Sequence, residues 1–178
     1  MTSAPPLDLS NYLRDVPDFP KPGIVFKDIT PLLADPVAFS TAVDRLTEAI
    51  RPYNPTHIAA VESRGFLFAG GMCERLQASF IPLRKAGKLP WETFSESYDL
   101  EYGADHLEVH TDAAAPGDRV VLIDDLLATG GTAEASLHLV RRTGAEVVAA
   151  CFVVELDFLD GRKRLHGIPV HSLISIAD

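Results

Sequence analysis

Cysteine is scarce in this sequence, since Cys73 and Cys151 are the only two in 178 residues and neither has a C-x-x-C partner. Isolated thiols exclude a disulfide framework and a zinc site of the usual spacing, and they are typical of a reducing compartment. The sequence also lacks an apolar run close to the roughly eighteen residues that a membrane span needs. Its N-terminus has neither a basic start nor an apolar signal core, so we expect a cytoplasmic protein with no membrane partner.

Basic residues are in deficit as well. Lysine and arginine number 16 against 25 acidic residues, which gives a formal net charge of −9. A surface of this sign repels nucleic acid, so nucleic acid is not an expected partner, and a polyanionic substrate would need local basic residues. The sequence contains neither G-x-x-x-x-G-K-[ST] nor G-x-G-x-x-G, which disfavours nucleoside triphosphatases and nicotinamide enzymes.

Apolar residues alternate between the helix and strand periods along most of the chain. Helices are predicted at 36–51, 66–76 and 131–142, and strands at 57–61, 79–84, 120–124 and 147–156, with a further strand starting at 107–109. This order predicts one α/β domain over 1–178, with a central parallel sheet flanked by helices. Residues 1–35 are expected to cap the sheet edge, and residues 86–103 to form a loop that acts as a lid.

The most informative stretch runs from Val120 to Thr132, with the sequence VVLIDDLLATGGT. An apolar strand leads to the pair Asp124 and Asp125, and its carboxyl end is where open α/β sheets bind ligands. Two threonine hydroxyls, two glycines and the start of a helix follow, which together suit one monoester phosphate. Two carboxylates beside an anion are costly unless they face other groups, and a ribose diol with a divalent cation would suit them.

A second turn of this kind is Glu62-Ser63-Arg64-Gly65, which follows the predicted strand at 57–61. Its backbone N–H groups, hydroxyl and guanidinium can bind oxyanions such as pyrophosphate. Arg84, Lys85 and Lys88 place three cations within five positions, directly after another predicted strand. They suit a diphosphate, although a solvated basic patch would have the same spacing.

The 120–132 stretch resembles the phosphoribosyl pyrophosphate (PRPP) motif of the type I phosphoribosyltransferases. Four further segments resemble signatures of the adenine-specific branch of that family: PKPGIVFKDIT at 20–30, ESRGF at 62–66, RKAGKLP at 84–90 and YDLEYG at 98–103. The resemblance covers the chain from about residue 15 to its C-terminus. It implies that adenine and PRPP are converted to AMP and pyrophosphate with Mg²⁺ as cofactor, by a homodimer with an N-terminal hood over the base.

The resemblance also implies a role for each motif. Asp124 and Asp125 would hold the ribose hydroxyls and, through water, the metal. The 5-phosphate would lie on Ala128, Thr129, Gly130, Gly131 and Thr132. Pyrophosphate would contact Ser63, Arg64, Gly65, Arg84, Lys85 and Lys88, with a cis peptide bond between Glu62 and Ser63.

For the base, the resemblance implies that Phe26 stacks on adenine, that Val25 and Lys27 bind its edge through backbone groups, and that Leu127 lies on the opposite side. Glu101, next to Tyr102 in the lid, would be the acid–base group for the proton that leaves the adenine ring. Catalysis would thus depend on Glu101, Tyr102 and Arg64.

Two alternatives stay open. The same fold could use xanthine, hypoxanthine or orotate, because a few backbone contacts in the hood would select the base. A regulator that binds PRPP without catalysis is the more distant alternative, and the net charge of −9 argues against one that binds nucleic acid.

Overall fold

The computed structural model describes residues 7–100 and 103–177. In chain order these residues form a 3-10 helix Leu9–Tyr12, β1 Arg14–Pro17, β2 Val25–Asp28, α1 Thr30–Ala34, α2 Pro36–Ile50, a 3-10 helix Arg51–Tyr53, β3 His57–Val61, α3 Gly65–Leu76, β4 Ser79–Lys85, β5 Thr93–Leu100, β6 Gly103–His110, β7 Arg119–Leu127, α4 Gly131–Arg142, β8 Glu146–Leu156, 3-10 helices Asp157–Leu159 and Gly161–Arg164, and β9 Val170–Ile176.

Within the described residues, seven strands form the main sheet in the order β5-β6-β4-β3-β7-β8-β9. The five strands from β4 to β9 in this order run parallel, whereas β6 is antiparallel to both β4 and β5. The predicted α/β class with helices on the sheet is therefore confirmed. Its antiparallel edge was not predicted.

Helices cover both faces of this sheet. On β7, Val121 and Ile123 face the core formed with α2 and α3, while Val120 and Leu122 face the core formed with α4. Successive residues of a strand point to opposite faces, so an unbroken apolar run is what a strand buried on both sides requires. The run at 120–123 therefore places β7 in the middle of the sheet.

Helix α2 shows how local signals set the element boundaries. Asp35 caps its N-terminus by accepting hydrogen bonds of 2.9 Å from the backbone N–H groups of Val37 and Ala38. Pro36 occupies the first turn, where its missing N–H costs nothing. The apolar side chains at helical spacing, Ala38, Ala42, Val43, Leu46 and Ile50, are all buried. No helix among the described residues has the length and apolar character needed to cross a membrane.

The prediction of a loop over 86–103 is wrong for residues 93–100 and 103, which lie in strands. Thr93–Leu100 and Gly103–His110 pair as an antiparallel hairpin, which we call the lid hairpin. Phe94 and Tyr98 are partly buried against the core under α4, while Ser95 and Ser97 are exposed. The polar composition hid an alternation with a period of two, which is the pattern of a strand with one buried face.

Strands β1 and β2 pair with each other in a separate two-stranded sheet. Their connection contains a cis bond between Phe19 and Pro20. The Phe19 and Phe26 rings pack edge to face, with centroids 5.3 Å apart. This β1–β2 hairpin therefore carries its own small apolar contact apart from the main sheet.

Candidate functional site

Two strand-to-helix turns lie side by side at the carboxyl ends of β3 and β7, because these strands are paired in parallel. The chain proceeds from β3 to β4 on one side and from β7 to β8 on the other, so this is the topological switch point where open α/β sheets bind ligands. Gly65, in the first of these turns, lies directly against Ile123 and Asp124 of β7. A Cβ atom there would lie 2.9 Å from the carbonyl oxygen of Ile123, so only glycine fits without a shift.

The residues predicted to bind the ribose and 5-phosphate line a single cavity of about 200 Å³, which we call the loop cavity. Its lining consists of Arg64, Asp124, Asp125, Leu126, Leu127, Ala128, Thr129, Gly130, Gly131, Thr132 and Ala133. Gly130 has φ of 83° and precedes the first turn of α4, with no side-chain cap on that helix. The N–H groups of this turn are thus available to an anion, which the positive end of the helix dipole also favours.

Asp124 and Asp125 differ in their surroundings. Asp125 is buried and lies 2.5 Å from Nε of Arg64, whereas Asp124 accepts a 2.9 Å hydrogen bond from the backbone N–H of Asp125. Burial, followed by the charge of Asp125, raises the pKa of Asp124 well above its ordinary value. The ionised form of Asp124 is therefore unfavourable in this site, and hydroxyl donors or a cation would stabilise it.

The strand that carries these carboxylates is longer than predicted. Strand β7 continues past Ile123 to Leu127, and Leu126 and Leu127 pair with Val154 and Glu155 of β8. Asp125, like Asp124, therefore projects from a strand and not from the turn after it. A strand holds its side chains more rigidly than a loop, which favours a fixed carboxylate pair.

The cations predicted to bind pyrophosphate are paired with carboxylates of the protein. Glu62 lies 2.6 Å from Nζ of Lys88 and 3.2 Å from Nε of Arg84, and it accepts a 3.1 Å hydrogen bond from the backbone N–H of Lys85. Nζ of Lys85 lies 3.2 Å from Asp105. The bond between Glu62 and Ser63 is cis, as predicted. A diphosphate bound here would compete with these carboxylates for the cations.

Glu62 is held strongly in its ionised form. Burial alone would raise its pKa, but Lys88, the Lys85 amide and Arg84 together outweigh that effect and lower the pKa to about 2. A carboxylate that accepts several charge-assisted hydrogen bonds behaves in this way. Glu62 was not predicted as a site residue, although its place directly before Ser63-Arg64-Gly65 was a usable signal.

We expect Glu62→Gln to lower the free energy of unfolding by roughly 1 to 3 kcal/mol near neutral pH. Because the pKa of Glu62 is depressed, its contribution is complete above the ordinary value of 4.5 and is lost as the pH falls toward 2. Urea unfolding at several pH values should therefore show the two proteins converging in acid. Glu134→Gln, which breaks the exposed 3.1 Å pair with Arg164, is the control and should cost little. A difference in unfolding free energy between the wild type and Glu62→Gln that stays constant as the pH falls would contradict this role.

A second cavity, of about 260 Å³, adjoins the loop cavity beneath β2, and we call it the hood pocket. It is lined by Ile24, Val25, Phe26, Lys27, Leu126, Ala128, Thr129, Thr132, Leu156 and Leu159. A larger cavity of about 470 Å³ continues outward from it, toward Gly23 and Phe158. The side chain of Lys27 is directed to Asp15, at 2.8 Å, which leaves only its backbone for the pocket.

Leu126, and not Leu127, lines the hood pocket. The side chain of Leu127 is 1% exposed and packs in the core under α4. Alternation along β7 explains the difference, since neighbouring side chains on a strand point to opposite faces. Leu126 therefore replaces Leu127 in the proposal below, and Leu156 and Leu159 join it. Neither of those two belongs to a motif that the sequence would have singled out.

The turn at 128–130 that lines the loop cavity packs against Gly161, in a segment that was not predicted to belong to the site. A Cβ atom on Gly130 would lie 2.5 Å from the carbonyl oxygen of Gly161, and one on Gly161 would overlap the carbonyl oxygen of Ala128. The segment is tied down by Arg162, whose guanidinium bonds buried Glu155 at 2.5 Å and the Val170 carbonyl at 2.7 Å. The dipeptide Asp160-Gly161 was the available signal, because it is typical of a turn.

The lid hairpin is attached to α4 beside this loop. Arg142 lies over the Phe94 ring, with Cζ 4.6 Å from the centroid, and donates a 2.8 Å hydrogen bond to the carbonyl of Ser95. Nδ1 of His138 lies 3.2 Å from Glu96. The predicted lid residues Glu101 and Tyr102 lie outside the described residues.

Comparison with known proteins agrees with this architecture. The phosphoribosyl transferase domain family matches residues 33–169. Adenine phosphoribosyltransferase of Carboxydothermus hydrogenoformans is 54% identical over 168 residues, which cover 94% of this chain and 99% of the relative.

Solved structures give the same result. The crystal structure of adenine phosphoribosyltransferase from Thermoanaerobacter pseudethanolicus matches with a TM-score of 0.91 at 51% identity, covering 94% of this chain and 98% of that one. The Saccharomyces cerevisiae enzyme, complexed with adenine and an imino-altritol bisphosphate, matches with a TM-score of 0.87 at 41% identity, covering 93% and 96%.

Proposed function

The chain belongs to the phosphoribosyltransferase family and acts as an adenine phosphoribosyltransferase, a transferase of purine salvage, and we propose that it binds PRPP in the loop cavity and adenine in the hood pocket. One observation carries this assignment. A carboxylate pair, a capless helix N-terminus and Arg64 line one cavity, and an apolar pocket with an aromatic ring opens beside it. These are the groups that a phosphorylated sugar and a flat base require.

Asp124 and Asp125 bind the ribose 2- and 3-hydroxyls in this proposal, and the 128–132 turn binds the 5-phosphate through its N–H groups and threonine hydroxyls. The same carboxylates fit Mg²⁺, because oxygen ligands suit this ion and a cation would stabilise the ionised form of Asp124, whose pKa is raised by burial and then by the charge of Asp125. When bound with PRPP, magnesium would neutralise charge on the diphosphate and the sugar. The protein would hold it largely through water and substrate.

The reaction breaks the bond from ribose C1 to the pyrophosphate oxygen and forms a bond from C1 to the adenine ring nitrogen. Arg64, Arg84, Lys85 and Lys88 stabilise the negative charge that moves onto the departing pyrophosphate. The imidazole proton of adenine is released, and we assign its removal to Glu101, with Tyr102 beside it in the lid. Phe26 and Leu126 hold the base between them, so that its nitrogen faces C1.

AMP formation from adenine and PRPP, with and without magnesium, tests the proposal directly. Hypoxanthine, guanine, xanthine and orotate are supplied in parallel at equal concentration. Magnesium-dependent turnover of adenine alone supports the base assignment. Turnover of a different base would leave the PRPP site in place and overturn the assignment of the hood pocket.

Phe26→Ala should raise the KM for adenine by roughly tenfold or more, because stacking of a base on an aromatic ring contributes about 1 to 3 kcal/mol. The KM for PRPP should stay within about twofold of the wild type. Phe26→Tyr keeps the ring and should restore the adenine KM, and Val37→Ala, at an exposed position on α2, is the remote control. An equal rise in both KM values would mean that Phe26 supports the fold and not the base.

We further propose a cytoplasmic homodimer. Leu67 and Phe80 are 49% and 42% exposed, and Phe80 packs edge to face on Phe66, which leaves an apolar surface on α3 and the start of β4. Such a surface is typical of an interface. The unpaired Cys73 and Cys151 suit a reducing compartment. Sedimentation equilibrium of the wild type and of Phe80→Asp tests the dimer, since the variant should sediment as a monomer.

A further inference from the structure

Tyr98 of the lid hairpin lies beside the start of α4, where it lines a cavity with Gly131. Tyr98 on β5 is paired across the hairpin with Asp105 on β6. Its hydroxyl donates a 3.2 Å hydrogen bond to Oδ2 of Asp105. The same carboxylate oxygen lies 3.2 Å from Nζ of Lys85, the residue that ends β4. One oxygen atom thus joins a lid residue to a cation assigned to pyrophosphate.

On its other side, Tyr98 meets the loop cavity. Tyr98 and Gly131, the first residue of α4, line one cavity, and Thr132 and Asp124 lie close enough to the Tyr98 hydroxyl to affect its pKa. Burial, followed by the charge of Asp105, raises the pKa of Tyr98 to about 12. The phenol therefore keeps its proton at physiological pH and remains a hydrogen-bond donor.

These contacts form a chain of four side chains, Lys85, Asp105, Tyr98 and Thr132. It runs from the proposed pyrophosphate end of the site to the proposed 5-phosphate end. The first link is an ion pair, the second is a hydrogen bond, and the third is the proximity of Tyr98 to the start of α4. Asp105 and Tyr98 both belong to the lid hairpin. Coupling between separated sites is carried by connected networks of this kind, provided that the network has two arrangements.

Ligand binding supplies the second arrangement. A diphosphate would draw Lys85 away from Asp105, and a phosphate on the turn would draw the Thr132 hydroxyl away from Tyr98. Both exchanges replace a contact within the protein by a contact with substrate. The bond between Tyr98 and Asp105 would remain and would keep the two strands of the lid hairpin joined.

We propose that Tyr98 is a positioning residue that links the lid hairpin to the phosphate-binding turn, and that Asp105 competes with pyrophosphate for Lys85. This inference rests on the proposed function. It goes further by giving Tyr98 and Asp105, which have no role in the proposed function, a part in PRPP binding and in pyrophosphate release.

Tyr98→Phe removes the hydroxyl and keeps the ring, so it breaks the link with little loss of packing. We expect kcat/KM for PRPP to fall roughly tenfold, the loss that one well-placed hydrogen bond produces, while the KM for adenine stays within about twofold. Hydrolysis of PRPP without adenine should rise relative to transfer, because the lid hairpin would be held less firmly beside the site and would exclude water less well. Ser97→Ala, at the exposed neighbouring position, is the matched control and should change none of these values.

Asp105→Asn tests the contact with Lys85, and it should strengthen ligand binding where Tyr98→Phe weakens it. The amide can still accept from Tyr98, but it no longer pairs with Lys85. Pyrophosphate should therefore inhibit the variant several-fold more strongly than the wild type. A merely structural role for Asp105 would weaken pyrophosphate and PRPP binding together.

Trp91 allows a test without turnover. It is the only tryptophan in the sequence, it is 65% exposed, and it lies two residues before the lid hairpin. Its emission should change as PRPP and magnesium are added to the wild type, and Tyr98→Phe should shift the midpoint to higher PRPP. Unchanged midpoints and unchanged PRPP kinetics would overturn the link. Failure of the wild type to form AMP while it still binds PRPP would instead overturn the proposed function alone.

Discussion

Asp125→Asn should lower kcat by roughly 100-fold or more, since it removes a charge that faces the sugar where positive charge develops. The carboxylate of Asp125 is buried and holds Arg64 at 2.5 Å. An amide of nearly the same shape keeps the packing but binds Arg64 more weakly and accepts fewer hydrogen bonds from the ribose hydroxyls. The defect should therefore appear in kcat as well as in the KM for PRPP.

The melting temperature of Asp125→Asn distinguishes a loss of catalysis from a folding defect. The charge of Asp125 contributes to the raised pKa of Asp124, and a group with a raised carboxyl pKa lowers stability as the pH rises through that pKa. The variant loses the Arg64 pair but also loses this repulsion, so its melting temperature near neutral pH should stay within a few degrees of the wild type. Asp44→Asn breaks the exposed 2.6 Å pair with Arg75 and is the matched control. Unchanged turnover by Asp125→Asn would remove that residue from the reaction.

Gly161→Ala should lower kcat/KM for PRPP by up to roughly 100-fold, although Gly161 is not proposed to touch substrate. The added methyl group would overlap the Ala128 carbonyl and come within 3.1 Å of the Gly130 backbone N–H. Arg162 and Glu155 hold the neighbouring segment in place, so the phosphate-binding turn must shift instead. A displacement of about 1 Å near the reacting groups can cost a factor of this size.

The matched control is Gly70→Ala on α3. A Cβ atom there has no neighbour within 4 Å, and alanine favours a helix, so the variant should be as active as the wild type and slightly more stable. Steady-state kinetics with PRPP varied, followed by adenine varied, should place the Gly161→Ala defect on PRPP alone. Equal losses for both substrates would show that the substitution disturbs the whole domain and not the turn.

Structure could be predicted best from those sequence patterns that are compatible with a single local structure. The apolar run at 120–123 can only be buried on both faces, and the glycines at 130 and 131 mark the turn and the helix that follow it. The position of the two turns beside each other also followed from sequence, because carboxyl ends of parallel strands meet at one edge.

The features that were missed depend on contacts between distant residues. Gly161 is required by the backbone of the 128–130 turn, about thirty residues earlier, and no local pattern reports that contact. Leu126 and Leu127 are identical in type, and only the extension of β7 decides which of them faces the hood pocket. The pairing of Glu62 with Lys88 likewise depends on the adjacency of β3 and β4.

The order of the strands also bears on how activity returns after unfolding. Strand β3 pairs with β7, and the residues between them include α3, β4 and the lid hairpin. A partly folded chain in which only the N-terminal or only the C-terminal half is formed would contain one of the two site turns, after β3 or after β7, without the other. Pairs this far apart in sequence form late, because closing the loop costs entropy before it gains contacts. Recovery of PRPP binding during refolding should therefore coincide with completion of the sheet and lag behind the formation of helices.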